Sequence, residues 1–420
     1  MSKVDAQALA GAAQAARTRY EEYVAAGLKL DITRGKPCAA QLDLSEGILD
    51  LPGAGQHATD AEGDLRNYGG APKGLLSLRE IFSPLIDVPV DQIVARDNSS
   101  LALMHQCVAS SFFHAPPGGE SWQGQEVTFL APSPGYDRHF SVCSELGVGL
   151  RVVGMGPDGP DMDEVEAIVA SDTSVKGIWC VPKYSNPTGV TYSPETVRRL
   201  AAMPSAAPDF RIYWDNAYAI HHLSGEHDEL ASILAACEEA GNPDRAFVFA
   251  STSKVTFAGA GVSFFGSSPA NIAWFLARDG MRSIGPDKIN QLRHVAFFGD
   301  SDGVLAHMDK HREILAPKFE AVDKALTADL GALGIASWSE PRGGYFVSLD
   351  VVPGTARRVV ELAKAAGVAL TPAGATYPGG QDPRDENIRI APSFPTMEEL
   401  EPALAVLTTC VILAAAEKLG

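Results

Sequence analysis

The sequence lacks the features that mark disulfide-rich, metal-binding and membrane proteins. Its six cysteines are scattered along the chain without a C-x-x-C pair, so we expect neither a disulfide framework nor a cysteine metal site. A reducing cytoplasm is then the simplest location. No apolar run approaches the roughly 18 residues of a membrane-spanning helix, and none is expected here.

Positive charge is also scarce. The chain has 34 lysines and arginines against 52 acidic residues, which gives a formal net charge of -18. This excess opposes binding to nucleic acids and to anionic lipid, so we expect neither partner. No G-x-G-x-x-G turn follows an early strand, and a hydride-transfer enzyme on a doubly wound sheet therefore has little support.

Short apolar runs alternate with helical segments from about residue 90 to residue 270, for example at 126–130, 177–181 and 247–249. This alternation predicts an α/β fold with a mostly parallel sheet between helices. From about residue 300 the pattern changes to that of a smaller α+β domain, closed by a helix from Met397. We predict an N-terminal segment (1–45) that joins the small domain, a large domain (46–300) and a small domain (301–420).

Polar residues follow three consecutive candidate strands. Asn186 comes after the run at 177–181, Asp215 after 211–214, and Lys254 after 246–250. Taken singly, they could be a turn residue, a helix N-cap and a surface lysine. Taken together, they meet at the carboxyl edge of a parallel sheet, where ligands bind. A Schiff-base lysine, a carboxylate for a pyridinium nitrogen and a partner for a phenolic oxygen are what a pyridoxal phosphate site needs.

Other residues suit the remaining parts of such a site. Tyr136 follows a strand in a Pro-Gly-Tyr turn and could stack on the cofactor ring. Ser99 and Ser100 precede a helix that begins near Leu101, where hydroxyls and free N–H groups can hold a phosphate. Ordinary helix capping is the alternative for both serines, and the two roles can coexist.

Four motifs give the chain a family resemblance that covers nearly its whole length. It resembles the class I, fold-type I pyridoxal-phosphate aminotransferases, and most of all their aspartate aminotransferase-like branch. The fold implied is a mostly parallel seven-stranded sheet between helices plus a smaller α+β domain. The motifs are Asn186-Pro187-Thr188-Gly189, Asp215-Asn216-Ala217-Tyr218, Ser251-Thr252-Ser253-Lys254 and Asn387-Ile388-Arg389-Ile390-Ala391.

The resemblance implies a role for each cofactor-binding residue. Lys254 would be the Schiff-base lysine and proton shuttle, and Asp215 would pair with the pyridinium nitrogen. Tyr218 and Asn186 would contact the phenolic oxygen. The implied ring-stacking and phosphate-binding residues are Tyr136, Ser99, Ser100 and Ser251.

The resemblance also implies residues for the substrate and the neighbouring subunit. Arg389 would bind the substrate α-carboxylate, with Gly35 close to it as the N-terminal segment closes over the site. Tyr68 would reach the phosphate of the neighbouring subunit, so a homodimer with shared active sites is expected. A dicarboxylate substrate needs a second cation, for which Arg282, Lys288 and Arg293 are candidates, and we favour Lys288.

One position departs from the family pattern. The family usually has an arginine eight residues after the lysine, where it neutralises the phosphate. Here that position is Val262, and residues 255–270 contain no lysine or arginine. The pattern indicates a divergent subgroup, in which hydroxyls, amides, a helix dipole or a distant cation serve the phosphate.

The resemblance implies transamination between L-aspartate and 2-oxoglutarate in a double-displacement (ping-pong) scheme. The same site could instead serve kynurenine, 2-aminoadipate or an aromatic amino acid, or catalyse a β-elimination. A ligand-sensing module of a transcription regulator is a remote alternative. Such regulators carry an N-terminal winged-helix segment, whereas here we expect the pattern to begin by about residue 30 after a single helix, and the acidic charge opposes DNA binding.

Overall fold

The structure, a computed structural model, describes residues 6–420, so the first five residues of the predicted segment 1–45 lie outside the described part. Within residues 6–420 the chain forms thirteen α-helices: α1 (Ala6–Ala26), α2 (Ala39–Asp43), α3 (Leu76–Ile86), α4 (Ser100–Phe113), α5 (Asp137–Glu145), α6 (Met162–Val169), α7 (Pro194–Ala202), α8 (Ile233–Glu239), α9 (Pro269–Arg282), α10 (Lys288–Phe298), α11 (Ser301–Leu330), α12 (Ala356–Ala365) and α13 (Met397–Leu419). The same residues form fifteen strands: β1 (Leu30–Asp31), β2 (Ala58–Thr59), β3 (Gly63–Asp64), β4 (Ile93–Arg96), β5 (Thr128–Ser133), β6 (Gly149–Gly156), β7 (Gly159–Pro160), β8 (Val175–Cys180), β9 (Arg211–Asp215), β10 (Ala246–Ser251), β11 (Ser263–Gly266), β12 (Ala336–Trp338), β13 (Val347–Val351), β14 (Val368–Ala369) and β15 (Asn387–Ile390).

The central sheet has eight strands in the order β4-β11-β10-β9-β8-β5-β6-β7. Strands β10, β9, β8, β5 and β6 run parallel to one another. Strand β11 is antiparallel to both of its neighbours, so β4 again points the same way as β10. The predicted mostly parallel seven-stranded sheet is confirmed as the body of the large domain, and the two-residue strand β7 extends its edge.

The inner strands are buried on both faces, which explains why they are apolar without a polar alternation. Ile212 and Val248 pack into the apolar cluster on one face of the sheet. Their sequence neighbours Tyr213 and Phe247 pack into a second, aromatic-rich cluster on the other face. This double burial holds the strand ends, and therefore the polar residues that follow them, at one edge of the sheet.

The smaller domain is built on the antiparallel sheet β12-β13-β15. The N-terminal segment joins it through a parallel pairing of β1 with β14 and through α1, whose Leu9 and Ala16 lie in the small-domain core. Helix α11 begins in the large-domain core with Val304 and ends in the small-domain core with Leu326. Because α11 contributes to both cores, the boundaries at 45 and 300 stay a prediction.

Helix α13 bears on the expectation that no segment could span a membrane. It is long and apolar enough to do so by length and composition, with a mean hydropathy of 1.6 over its best window. However, 72% of that window is buried inside the structure. The helix contributes Leu400, Leu407 and Val411 to the small-domain core, so its apolar character is explained by packing.

Candidate active site

The carboxyl ends of five strands that point the same way gather the predicted residues at one edge of the sheet. Strand β9 ends at Asp215, which is 2% exposed. Its Oδ2 accepts a hydrogen bond from His139 Nε2 at 3.0 Å. The other oxygen, Oδ1, is buried without a partner among residues 6–420. The site thus contains a buried carboxylate with one oxygen that is hydrogen-bonded and one that can still accept a hydrogen bond.

Lys254 lies in the turn that follows β10. The residue is partly exposed, but its amine is deep enough that burial lowers the pKa of Lys254, and the negative charge of Asp215 opposes this shift. The Nζ atom lies 5.1 Å from the centre of the Tyr218 ring. A lysine with a lowered pKa is neutral in a larger fraction of molecules at neutral pH, which makes it a better nucleophile and base.

Two tyrosines lie close enough to Asp215 to feel its charge. Tyr136 precedes the first residue of α5, and its ring meets that of His139 edge-on at 4.9 Å. Tyr218 is 3% exposed. Burial raises the pKa of both phenols, and the nearby Asp215 raises both further. Both phenols are therefore neutral at physiological pH and able to donate a hydrogen bond.

Hydroxyl groups converge at the N-terminus of α4. Ser99 caps this helix by accepting a hydrogen bond from Ala102 N at 3.3 Å, and Ser100 is its first residue. From the end of β10, Ser251 Oγ donates to Ser253 Oγ at 3.1 Å, and Ser253 Oγ donates to the Asn98 carbonyl at 3.2 Å. Free N–H groups and hydroxyls at a helix N-terminus favour a phosphate group.

Val262 offers no charge to this region. Its side chain is 2% exposed and belongs to the large-domain core. Its main-chain N–H donates to Thr252 Oγ1 at 2.9 Å. The residue therefore serves packing, and a phosphate bound at α4 would depend on the helix terminus and hydroxyls described above.

Arg389 reaches the site from strand β15 of the small domain. Its Nη1 lies 2.8 Å from Asp137 Oδ1 and 3.4 Å from Asn186 Oδ1. The guanidinium lies over the Phe346 ring at 4.9 Å, and its Nε is buried without a partner among the described residues. Gly35 packs so closely on that ring that an added Cβ would lie 2.0 Å from Phe346 Cζ. The Nε side of the guanidinium is thus left without a partner, as a carboxylate ligand requires.

A hydrogen-bonded network holds the main chain beneath Lys254. Tyr345 Oη donates to the Lys254 carbonyl at 3.3 Å and accepts from Gln41 Nε2 at 2.9 Å. The same Gln41 nitrogen lies 2.9 Å from His311 Nδ1 on α11. The network ties the N-terminal segment and the small domain to the turn that carries Lys254.

The structure does not bring Tyr68 and Lys288 into this cluster within one protomer. Tyr68 is 83% exposed. Lys288 Nζ donates to the Gly69 carbonyl at 2.5 Å. The other two candidate cations are also engaged, since Arg282 pairs with Asp97 and Asp279 and Arg293 donates to the Leu51 carbonyl.

Sequence reasoning missed His139 and Asp137. Tyr136 is the N-cap of α5 and His139 is the third residue of that helix, and an N-cap and a third helical residue lie close together. The pattern Tyr136-Asp137-Arg138-His139 was therefore a usable signal for His139. The contact of Asp137 with Arg389 had no such signal, because the two residues are 252 positions apart and belong to different domains.

The family model described as aspartate amino-transferase matches residues 4–420. The chain is 54% identical to a Mycolicibacterium smegmatis protein named as an aminotransferase, over 95% of this chain and 94% of that protein. It is 50% identical to an aspartate aminotransferase of Corynebacterium glutamicum, over 96% and 93%. The crystal structure of an aspartate transaminase from Corynebacterium glutamicum superposes with a TM-score of 0.96 at 48% identity, and all of both chains is covered.

Proposed function

The chain belongs to the aspartate aminotransferase family and has the fold-type I architecture, and from that premise we propose that it transfers the amino group of L-aspartate to 2-oxoglutarate, with pyridoxal 5′-phosphate as its cofactor. The products would be oxaloacetate and L-glutamate. The amino group and its hydrogens pass from one acid to the other in two half-reactions, so the exchange needs no oxidant or reductant.

The observation that carries the proposal is the unpaired Oδ1 of Asp215 beside a lysine of lowered pKa. A buried carboxylate oxygen without a donor is costly, by about 1–3 kcal/mol. A protonated pyridine nitrogen is a donor that would remove this cost. The pairing also suits the chemistry, since a carboxylate keeps such a nitrogen protonated.

The remaining residues fit the rest of the cofactor. Lys254 would hold it covalently through its amine, with Tyr218 and Asn186 at its phenolic oxygen and Tyr136 on its ring. The hydroxyls of Ser99, Ser100 and Ser251 would hold its phosphate. When bound, pyridoxal phosphate supplies a carbonyl carbon that bonds amines and a ring that accepts an electron pair.

Three residues of the chain would bind the substrate, transfer its proton and hold Asp215 in position. Arg389 would bind the substrate α-carboxylate through the unpaired Nε side of its fork, and thereby orient the α-carbon. The amine of Lys254 would take the proton from that carbon as general base and return it later as general acid. His139 would keep Asp215 in place throughout, because it holds Oδ2.

L-Aspartate is the proposed donor because the family description and the Corynebacterium relative both carry that name. Recognition of its side-chain carboxylate by Lys288 stays a prediction. A homodimer is also part of the proposal, and it is supported by Tyr68, which is 83% exposed on its own protomer. A cytoplasmic location remains part of the proposal as well.

The test is a product assay on the purified, cofactor-loaded protein. We expect oxaloacetate from L-aspartate and 2-oxoglutarate, measured through its NADH-dependent reduction by malate dehydrogenase, and loss of the signal in Asp215→Ala. L-Kynurenine, L-2-aminoadipate and L-tyrosine are compared in parallel. Turnover with one of these but not with aspartate would overturn the donor assignment. Release of ammonia and pyruvate would instead indicate a β-lyase.

A further inference from the structure

Helix α10 forms hydrogen bonds with both ends of the loop at residues 69–75, which follows Tyr68. Lys288 is the first residue of the helix, and its Nζ donates to the Gly69 carbonyl at 2.5 Å. One turn later, Gln291 Oε1 accepts from Leu75 N at 2.8 Å, and its Nε2 donates to the Ala95 carbonyl at 2.9 Å. Residues three apart lie on one helix face, so a single face of α10 holds the loop at 69 and at 75.

The position of Lys288 calls for an explanation. Its side chain is almost wholly buried, with the residue 7% exposed, and it sits at a helix N-terminus, where positive charge is unfavourable. Its hydrogen bond goes to a main-chain carbonyl rather than to a carboxylate. Lys288 has no ion pair within residues 6–420, and the contact that its Nζ makes is with the loop.

The bond from Lys288 to Gly69 would help to order the loop at residues 69–75. Gly69 and Gly70 have left-handed backbones, with φ of 77° and 67°. Glycines of this kind lose much conformational entropy when they become ordered. Fixed contacts at both ends offset that loss. They also fix the direction of the residue just before the loop, Tyr68, whose ring is 83% exposed.

We propose that Lys288 and Gln291 are positioning residues for Tyr68, which they hold so that its phenol reaches a phosphate bound in a second copy of the chain. This inference rests on the proposed function, which supplies the phosphate and the second copy. It gives Lys288 a different role from recognition of the substrate side chain. Recruiting Nζ to a substrate carboxylate would break its bond to Gly69 and release the loop.

The two roles separate in one experiment. The variants Lys288→Met and Tyr68→Phe are compared with Lys324→Met, which removes an exposed lysine of α11. The first readout is the Kd for pyridoxal phosphate, from absorbance titration of the cofactor-free protein. The second is the KM for L-aspartate at saturating cofactor. Tyr68→Phe alters only an exposed hydroxyl, so it tests the loop even if Lys288→Met folds poorly.

We expect Kd to rise about tenfold in Lys288→Met and in Tyr68→Phe, with no further rise in the double variant, because both changes remove the same contact. The KM for aspartate should change less than about twofold. A Kd equal to that of Lys324→Met would overturn the proposal, as would a tenfold rise in KM at unchanged Kd. A wild-type protein that binds no pyridoxal phosphate would refute the proposed function itself. A Kd for pyridoxal phosphate that does not change in Tyr68→Phe would refute only the role of the loop.

Discussion

At the scale of single residues, the two oxygens of Asp215 have different environments, and this difference suits the residue to bind a ligand. Oδ2 is anchored by His139, whose ring stacks on Trp179 at 4.4 Å with an interplanar angle of 12°. Oδ1 is left free. A carboxylate held on one side only keeps its direction while retaining the capacity to bind a ligand on the other.

Replacing the anchor should weaken cofactor binding without removing the carboxylate. In His139→Phe the ring can still stack on Trp179, but Oδ2 loses its donor. We expect the Kd for pyridoxal phosphate to rise about tenfold, since an unpaired buried acceptor costs about 1–3 kcal/mol. The control is His105→Phe, at an exposed position of α4. Equal Kd values for the two variants would show that His139 does not support Asp215.

Arg389 allows a complementary prediction about the substrate. Arg389→Lys keeps the charge but loses the planar fork, so a bidentate contact with a carboxylate becomes impossible. The KM for L-aspartate should rise at least about tenfold, whereas the Kd for the cofactor should stay unchanged. Arg384→Lys, at an exposed site near the same strand, is the matched control. A normal KM in Arg389→Lys would exclude Arg389 as the carboxylate ligand.

At the scale of elements, the N-terminal segment covers Arg389 through the contact of Gly35 with Phe346. A side chain at position 35 cannot fit without movement, because its Cβ would lie 2.0 Å from the ring. Gly35→Ala should therefore raise the KM for amino acids several-fold and leave the cofactor absorbance as it is. Gly11→Ala, whose added Cβ meets no atom of residues 6–420 within 4 Å, should leave KM unchanged. If Gly35→Ala behaves like Gly11→Ala, the segment does not close over the substrate.

His311 on helix α11 makes the free energy of unfolding depend on pH. Burial, together with the smaller effect of the neighbouring His307, lowers the pKa of His311 to about 4. Between about pH 6.5 and 4 the unfolded chain binds a proton that the folded chain excludes, so the free energy of unfolding falls as pH falls. The loss from this group reaches about 3 kcal/mol and ends below pH 4.

Urea unfolding at pH 7 and pH 5 measures this effect. His311→Gln should show a smaller fall in the free energy of unfolding than the wild type, because glutamine does not titrate. The exposed His105→Gln should fall as the wild type does. An undiminished fall in His311→Gln would place the acid sensitivity elsewhere, for example in His307, whose pKa is also lowered by burial.

Elements with a strong apolar signal could be predicted from the sequence, and others could not. The apolar run at 247–249 became part of β10, and the residues Asn387–Ile390 became β15, in which Ile388 and Ile390 alternate with polar residues. Strand β4 was not among the predicted runs, and it ends in Arg96, whose charge is compensated by Asp279 at 2.7 Å. That compensation depends on α9, which is distant in sequence and cannot be inferred from local pattern.

At the scale of the whole molecule, the site lies where two separately packed cores meet. The large domain supplies Asp215 and Lys254 from one sheet edge, as the order of strands predicted. The small domain supplies Arg389, and the geometry across the boundary includes contacts that sequence reasoning could not reach, such as Asp137 with Arg389. Such contacts depend on the relative placement of domains, which no local pattern encodes.

The most direct test of the account is the visible absorbance spectrum of the purified protein, recorded before and after addition of L-aspartate. We predict a yellow chromophore that aspartate bleaches and that is missing in Lys254→Ala, because Lys254 would hold the cofactor and aspartate would release it. No chromophore after incubation with pyridoxal phosphate, or a chromophore that persists in Lys254→Ala, would contradict the account.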